Sequence, residues 1–353
     1  MSKVVRIKPL DPLFFRMNRA FTAGEQDWAS SRPFPLPSTV YGAIRAFILA
    51  KRDLNKFYEE GYLDIGSPKK KGTLKIKFIA LKKDVEIFFP APANLLCYED
   101  KPLVMTPTIE EEDYLLLSKV RGLDNRLRFF YTRENVSKKE NRWIGLSALV
   151  EFLKGNYDAI QCMDIHTIEE FAMPEPRVGI ALDKESRTAQ EGRLYRAEHY
   201  RYLENVEIVV WVEGTEESLN GILHLGGERR VAFLKEDEEL KGKIEAKLNY
   251  DLSGNFDYLY LYLATPSIFE SSWHPNIKNN FPMISAIVDS YELVGGWDIA
   301  KRKPKPLYRA VPAGSIYVFD KDGHSYLKEK FGLKNISQVY PEEGYGFALI
   351  GAI

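Results

Sequence analysis

The 353-residue sequence predicts an α+β fold built from two related units in tandem. Two periodicities and their order carry that prediction. Stretches of strand length recur from Val4-Val5-Arg6-Ile7 to the closing Gly346–Ile353, with apolar residues alternating or continuous. Between the early strands Val40, Ala43, Ile44, Phe47 and Ile48 recur at i, i+3, i+4, i+7 and i+8, one apolar face of a helix. The first half runs strand, helix, hairpin, helix, which a further strand would close into a ferredoxin-like unit, and the second half reads strand, helix, strand and again strand, helix, strand, with inserted hairpins. The expected architecture is therefore two tandem ferredoxin-like domains with inserted hairpins and loops, one over residues 1–204 and one over 205–353.

In chain order, the first strand leads into Pro9 and Pro12, and the first helix opens at Pro37-Ser38-Thr39 with Ser38 as the expected N-cap. The residues between, from Asp11 to Pro37, have no regular periodicity. A loop this long inside a domain is usually functional or disordered, and its prolines and aromatic residues argue against a disordered linker. It delivers Arg16, Arg19 and Arg32 to a helix N-terminus. Free N–H groups, the hydroxyls of Ser38 and Thr39, and the guanidiniums of Arg16 and Arg45 together suit a phosphate. The same residues read equally well as a loop pinned by Phe14, Phe15, Phe21 and Phe34, with its arginines paired to Asp11, Glu25 and Asp27.

Leu74–Ile79 and Val85–Pro90 form a hairpin, and residues 91–142 read as an irregular, locally basic insertion. A second helix fits Ile144–Lys154, stopped by Gly155. Residues 177–202 form an Arg/Tyr-rich hairpin, whose polar loop Lys184–Gly192 joins strands Gly179–Asp183 and Leu194–Tyr202. Arginine forks grip phosphate and tyrosine rings stack on bases, so Arg187, Thr188, Arg193, Tyr195 and Arg196 are candidate RNA contacts. An exposed hairpin whose arginines pair with Asp183, Glu185, Glu191 and Glu198 is the competing reading.

The second half begins with the buried-type strand Val206–Glu213, a short helix over Glu216–Leu223, then Gly226-Gly227 and the strand Arg230–Phe233. Asp257–Leu263 alternates leucine with tyrosine. Strands follow at Met283–Val294 and Ser315–Phe319, a helix at Tyr326–Phe331 and the terminal strand. Gly295-Gly296-Trp297 precede an extended basic stretch from Lys301 to Arg309, which suits a base or partner contact beside a phosphate backbone. The glycines of Gly344–Gly351 allow close approach of backbone to a neighbour or to RNA.

Net charge is −1, so any nucleic-acid contact must come from local patches. Cys97 and Cys162 stand far apart in no metal-ligand spacing, which predicts free thiols in a reducing cytoplasm. No apolar run is long enough to cross a bilayer, and the N-terminus lacks the apolar core of a signal peptide. The histidines, His166, His199, His224, His274 and His324, form no metal or hydrolase motif, and no cofactor signature is present. His199 is the best general-base candidate for a metal-independent ribonuclease, although a polar strand residue is the more economical reading.

Taken together, DPLFFR…PLPSTVYGAIR, RVGIALD…RTAQEGRLY, LGGERR, ATPSIF and GGWD…RAVPAGSIYVF resemble the RAMP superfamily, and within it the subunit-3 family of Cmr complexes, components of type III-B CRISPR effectors. The tail GYGFALIG is similar to the glycine-rich loop of RAMP proteins. The chain departs from the family's frequent Asp-Gly-Arg-Pro-Phe at Met17-Asn18-Arg19-Ala20-Phe21. The resemblance implies RRM-like domains and a non-catalytic subunit that holds the 5′ tag of the guide RNA. It also implies docking to the large polymerase/cyclase-like subunit and to a backbone RAMP subunit. A RAMP endoribonuclease that cuts repeat RNA through His199 is the alternative.

Overall fold

The computed structural model describes residues 2–17, 28–105, 141–182, 186, 188–252, 256, 258–270, 273–275, 283–298, 302–320 and 324–352. It divides into two compact units, each assembled from three separate stretches: Met1–Val85, Ile168–Glu238 and Leu293–Tyr308 in one, Glu86–Thr167, Glu239–Glu292 and Arg309–Ile353 in the other. A single cut between residues 204 and 205 therefore does not divide the chain. The strand Val206–Glu213, expected to open the second domain, lies hydrogen-bonded between Ser2–Pro9 and Lys75–Lys83 in the first unit. Its continuous apolar side chains are buried on both faces, which a central strand requires.

The first unit carries five antiparallel strands in the order Gly221–His224, Val231–Glu236, Ser2–Pro9, Val206–Glu213, Lys75–Lys83. Counting the four longer strands along the chain, their spatial order is fourth, first, third, second. The helix Pro37–Leu49 buries Val40, Tyr41, Ile44, Phe47 and Ile48 as the periodicity requires. Its N-cap is Leu36 rather than Ser38, because Pro37 takes the first helical position, where its fixed φ fits and its missing N–H costs nothing. The helix expected over Glu216–Leu223 is instead a turn and the edge strand Gly221–His224. Tertiary hydrogen bonds override local propensity there: the Leu219 amide donates to the Glu236 carboxylate at 2.7 Å and the Glu236 amide to Asn220 Oδ1 at 3.0 Å.

The second unit has a five-stranded sheet in the order Met283–Ile287, Ile316–Asp320, Tyr258–Leu263, Phe347–Ala352, Lys334–Asn335. Its four longer strands again lie second, third, first, fourth, the same order read from the other edge. Both faces of Tyr258–Leu263 are buried. Leu259, Leu261 and Leu263 pack with Tyr317 and Phe319, while the Tyr260 and Tyr262 hydroxyls donate to the carbonyls of Phe152 and Pro90. The helix Leu146–Leu153 follows the strand Arg142–Gly145, and Glu238–Leu248 forms a further helix anchored by Leu240, Ile244 and Leu248. Within the insertion, Leu95–Tyr98 and Lys101–Val104 pair as a hairpin, while residues 106–140 lie outside the described residues.

The expectation of free thiols is overturned. Cys97 on that hairpin and Cys162 in the turn Cys162–Asp164 form a disulfide across a sequence separation of 65, with Cα atoms 5.8 Å apart. Sequence spacing carried no sign of it, because the two residues meet only through tertiary packing.

Candidate nucleic-acid interface

The long early loop is stitched to the Arg/Tyr hairpin by backbone bonds. Leu13 and Tyr200 exchange both amide–carbonyl bonds, at 2.8 and 2.9 Å. Returning, Trp28–Ala29 pairs in parallel with Arg196–Ala197 on the strand Ala189–Tyr202, which itself pairs with Ala172–Leu182. The loop base is closed by Met17 N–H to the Ser30 carbonyl at 3.0 Å, Arg32 N–H to the Phe15 carbonyl at 2.9 Å, and Phe15 N–H to Ser31 Oγ at 2.8 Å. Tyr202 donates its hydroxyl to the Pro33 carbonyl at 2.7 Å, and burial pushes that phenol well up from its ordinary range. Leu13, Phe14 and Phe15 are buried, so the aromatics pin the loop while Arg16 stays exposed beside them.

A third segment joins this assembly. The Gly227 amide donates to the Phe14 carbonyl at 2.8 Å. A Cβ at Gly226 would lie 2.6 Å from that carbonyl oxygen, and one at Gly227 would lie 2.8 Å from the Phe14 ring, so only glycine permits the approach. The turn continues through Glu228 and Arg229, both in the left-handed region at φ 56° and 52°. Glu228 thereby reaches His199, whose Nε2 lies 2.8 Å from its carboxylate, and Arg230 donates to the same oxygen at 2.7 Å. Burial alone would raise the Glu228 carboxyl; the bonds from His199 and Arg230 hold it below its usual range. His199 is 1% exposed and sits 5.1 Å, centroid to centroid, from the Phe14 ring. It ties hairpin, loop and turn together, the geometry of a structural histidine rather than of a base open to substrate. Sequence reading missed Glu228 and Arg230 as its partners, since they stand about thirty positions away with no local signature.

The expected contacts fall into distinct groups. Arg16 and Arg196 are exposed on segments joined through Trp28–Ala29 and Ser31. Ser38 and Thr39 lie in the first turn of the Pro37–Leu49 helix, half-buried. Arg45, expected to meet phosphate, is taken up by the fold: its Nε donates to the Ile65 carbonyl at 2.7 Å, its Nη2 to that of Ser67 at 2.9 Å, and its guanidinium covers the Phe57 ring. Thr188 is exposed and hydrogen-bonded to Ser186 at 2.7 Å. Arg187 lies outside the described residues. Arg193 and Tyr195 belong to Ala189–Tyr202, Arg193 falling where the register shifts. Arg177 and Arg201 clamp Glu175 at 2.7 and 2.6 Å and hold its carboxyl below the usual range, so the hairpin pairs some of its own charge. Gly295-Gly296 lead into a short ribbon in which Trp297, 59% exposed, faces Pro304, and Arg32 of the early loop donates to the Leu293 carbonyl just before them at 3.4 Å.

The glycine-rich tail is used inward. Gly344 and Gly346 adopt φ of 101° and 76°, and a Cβ on Gly351 would fall 2.3 Å from Tyr260 Cζ. Tyr345 and Phe347 are fully buried. Close approach is to the protein's own side chains. Among the described residues no group of His, Cys, Asp or Glu is placed to hold a metal, and no helix is long and apolar enough to cross a membrane.

A family model described as CRISPR-associated protein (Cas_Cmr3) matches residues 5–353. The curated "CRISPR system CMR subunit Cmr3" of Saccharolobus solfataricus is 26% identical over 334 residues, 90% of this chain and 86% of that one. A chain in a cryo-EM structure of the type III-B Cmr-beta bound to cognate target RNA and AMPPnP superposes with a TM-score of 0.55 at 22% identity, covering 98% of this chain and 96% of its own. One in Cmr-beta bound to cognate target RNA gives 0.50 at 20% identity, covering 93% and 89%. These structural likenesses concern the fold. The family match, running over nearly the whole length, shows that this chain belongs to the CRISPR-associated protein family Cas_Cmr3.

Proposed function

We propose that the chain is a non-catalytic RNA-binding structural subunit of a type III-B CRISPR RNA-guided interference complex. In this reading it holds the 5′ tag of the guide RNA and docks the large polymerase/cyclase-like subunit and a backbone RAMP subunit. Family membership supports the complex, and the repeated strand order supports two ferredoxin-like units. The observation that carries RNA binding is the junction of the early loop with the Arg/Tyr hairpin, which holds Arg16 and Arg196 exposed on backbone that is itself rigidly bonded. Backbone already fixed by strand pairing adds no ordering cost when a phosphate arrives, so only the side chains lose freedom. Arg187, Thr188, Arg193 and Tyr195 are further RNA contacts in this reading, and Ser38 and Thr39 offer the helix start. Gly295, Gly296 and Trp297 supply a base or partner contact. Cytoplasmic placement follows from the RNA-guided role, since the cysteines no longer argue for it.

The test is binding of a guide-tag RNA oligonucleotide by the full chain across a salt series. Each lost phosphate contact should flatten the slope of log K against log salt by about 0.7. Arg16→Glu with Arg196→Glu should weaken binding at least tenfold and flatten the slope by about two contacts. An unchanged slope in the double variant, or cutting of repeat RNA by the purified chain, would refute the reading.

A further inference from the structure

The solvent face of the first unit's sheet bears a feature that the interface above does not use. On its edge hairpin, Ile222 faces Phe233, and Phe233 faces Lys8 on the neighbouring strand. All three are exposed, Ile222 by 64% and Phe233 by 42%, while the alternate residues Ile7, Ala232 and Leu234 are buried on the opposite face. Directly opposed side chains on one sheet face have Cβ atoms about 5 Å apart, so an open phenyl ring lies between an aliphatic wall and an ammonium. Lys235 follows Phe233 by two residues on the same face and is also exposed.

Charge decides the occupant. Lys8 and Lys235 are exposed and form no ion pair among the described residues. The carboxylates nearest on this face are already neutralised: Glu207 by Arg6 at 2.8 Å and Lys82 at 3.3 Å, and Asp237 by Arg6 at 2.7 Å. Asp11 beside the hairpin accepts from the Val231 amide at 3.3 Å. The exposed apolar area is the Phe233 ring, Ile222 and Leu10, which follows Lys8 by two residues, still far below the roughly 800 Å² per partner of a stable protein interface. An aromatic face bordered by unpaired cations matches the repeat of base and phosphate in a single strand. Among the described residues Gly221–His224 ends the strand order, so none of their strands crowds the ring from that side.

We infer that Phe233, walled by Ile222 and flanked by Lys8 and Lys235, is a stacking platform for one base of single-stranded RNA, reached by other side chains than Arg16 and Arg196. The inference rests on the RNA-binding reading and adds a second contact surface to it.

The experiment uses the full chain and a 4-thiouridine-containing single-stranded RNA of about ten nucleotides. Photocrosslinks should map to the peptide holding Phe233. Phe233→Ala should weaken binding by roughly five- to a hundredfold, the range of one lost base stack, and Phe233→Tyr should bind as the unmodified chain does. Lys8→Glu with Lys235→Glu should flatten the salt dependence while leaving thermal unfolding in place. If Phe233→Ala binds normally while Arg16→Glu with Arg196→Glu does not, the platform is refuted and the RNA-binding reading stands. If the unmodified chain binds no RNA, both fall. If Phe233→Ala leaves RNA affinity intact but weakens association with another subunit, the face belongs to a protein and the inference is overturned.

Discussion

Replacing both Cys97 and Cys162 with serine tests the feature that sequence reading got wrong. The bond closes a sequence separation of 65 within the second unit. Chain-entropy arguments for a loop of that length put the stabilisation at about 4 kcal/mol, chiefly by restricting the unfolded chain. The Cα separation of 5.8 Å lies inside the range that native disulfides adopt, so the backbone needs no movement to form the bond. With an m-value near 3 kcal/mol/M, the midpoint of urea unfolding should fall by about 1 M or more in the double variant. Reductant should lower the midpoint of the unmodified chain by a similar amount and leave the variant unmoved. Trp143, buried in the same unit, gives a fluorescence signal for this transition. Equal midpoints in the two proteins under oxidising conditions, or two free thiols per chain in a thiol titration of the purified protein, would refute the pairing.

Two further substitutions probe the cores. Gly351→Ala places a methyl against Tyr260, whose ring is fully buried and whose hydroxyl donates to the Phe152 carbonyl at 3.0 Å; overpacking should lower stability by roughly 1–3 kcal/mol, read as a fall in unfolding midpoint, and an unchanged midpoint would show that the strand gives way freely. Asp64 accepts a fork from Arg52 at 2.6 and 2.8 Å and bonds from Thr215 and Ile65; burial opposes its charge, yet these partners hold its pKa below the ordinary value. Its contribution is complete above the unfolded pKa of about 4 and is lost as pH falls through the lower folded value. Asp64→Asn should therefore cost roughly 1.5–3 kcal/mol at pH 7 and progressively less towards pH 2, and a pH-independent difference would contradict the ion pair.

Local pattern was legible where one element decides its own state. The face of the Pro37–Leu49 helix, the buried strand Val206–Glu213 and the alternation of Tyr258–Leu263 could all be read from spacing. What spacing could not show was partnership across distance. Val206–Glu213 was recognised as a strand yet placed in the wrong unit, because its neighbours Ser2–Pro9 and Lys75–Lys83 precede it by more than a hundred residues. Only Leu240, Ile244 and Leu248 mark the buried side of Glu238–Leu248, and Gly242 lowers its helix propensity, so its sequence carries little helical signal. The disulfide and the His199–Glu228 contact were hidden for the same reason: both are consequences of topology rather than of neighbouring residues.

Packing divides the candidate arginines into one bonded inward to backbone carbonyls and two exposed at the surface. In sequence, Arg16, Arg45 and Arg196 are equivalent, each a fork beside polar and aromatic residues. A guanidinium satisfied by backbone carbonyls, as Arg45 is by Ile65 and Ser67, would give up those partly buried bonds on turning to a phosphate, and that cost opposes the gain. Arg196 on the hairpin and Arg16 on the loop are exposed, and the backbone beneath them is already fixed by strand pairing. The glycines fall on the chain's own side: Gly226 and Gly227 admit Phe14, and Gly351 admits Tyr260. Glycine and arginine therefore mark close approach and charge, and only the packed neighbours decide whether the chain or a ligand answers them.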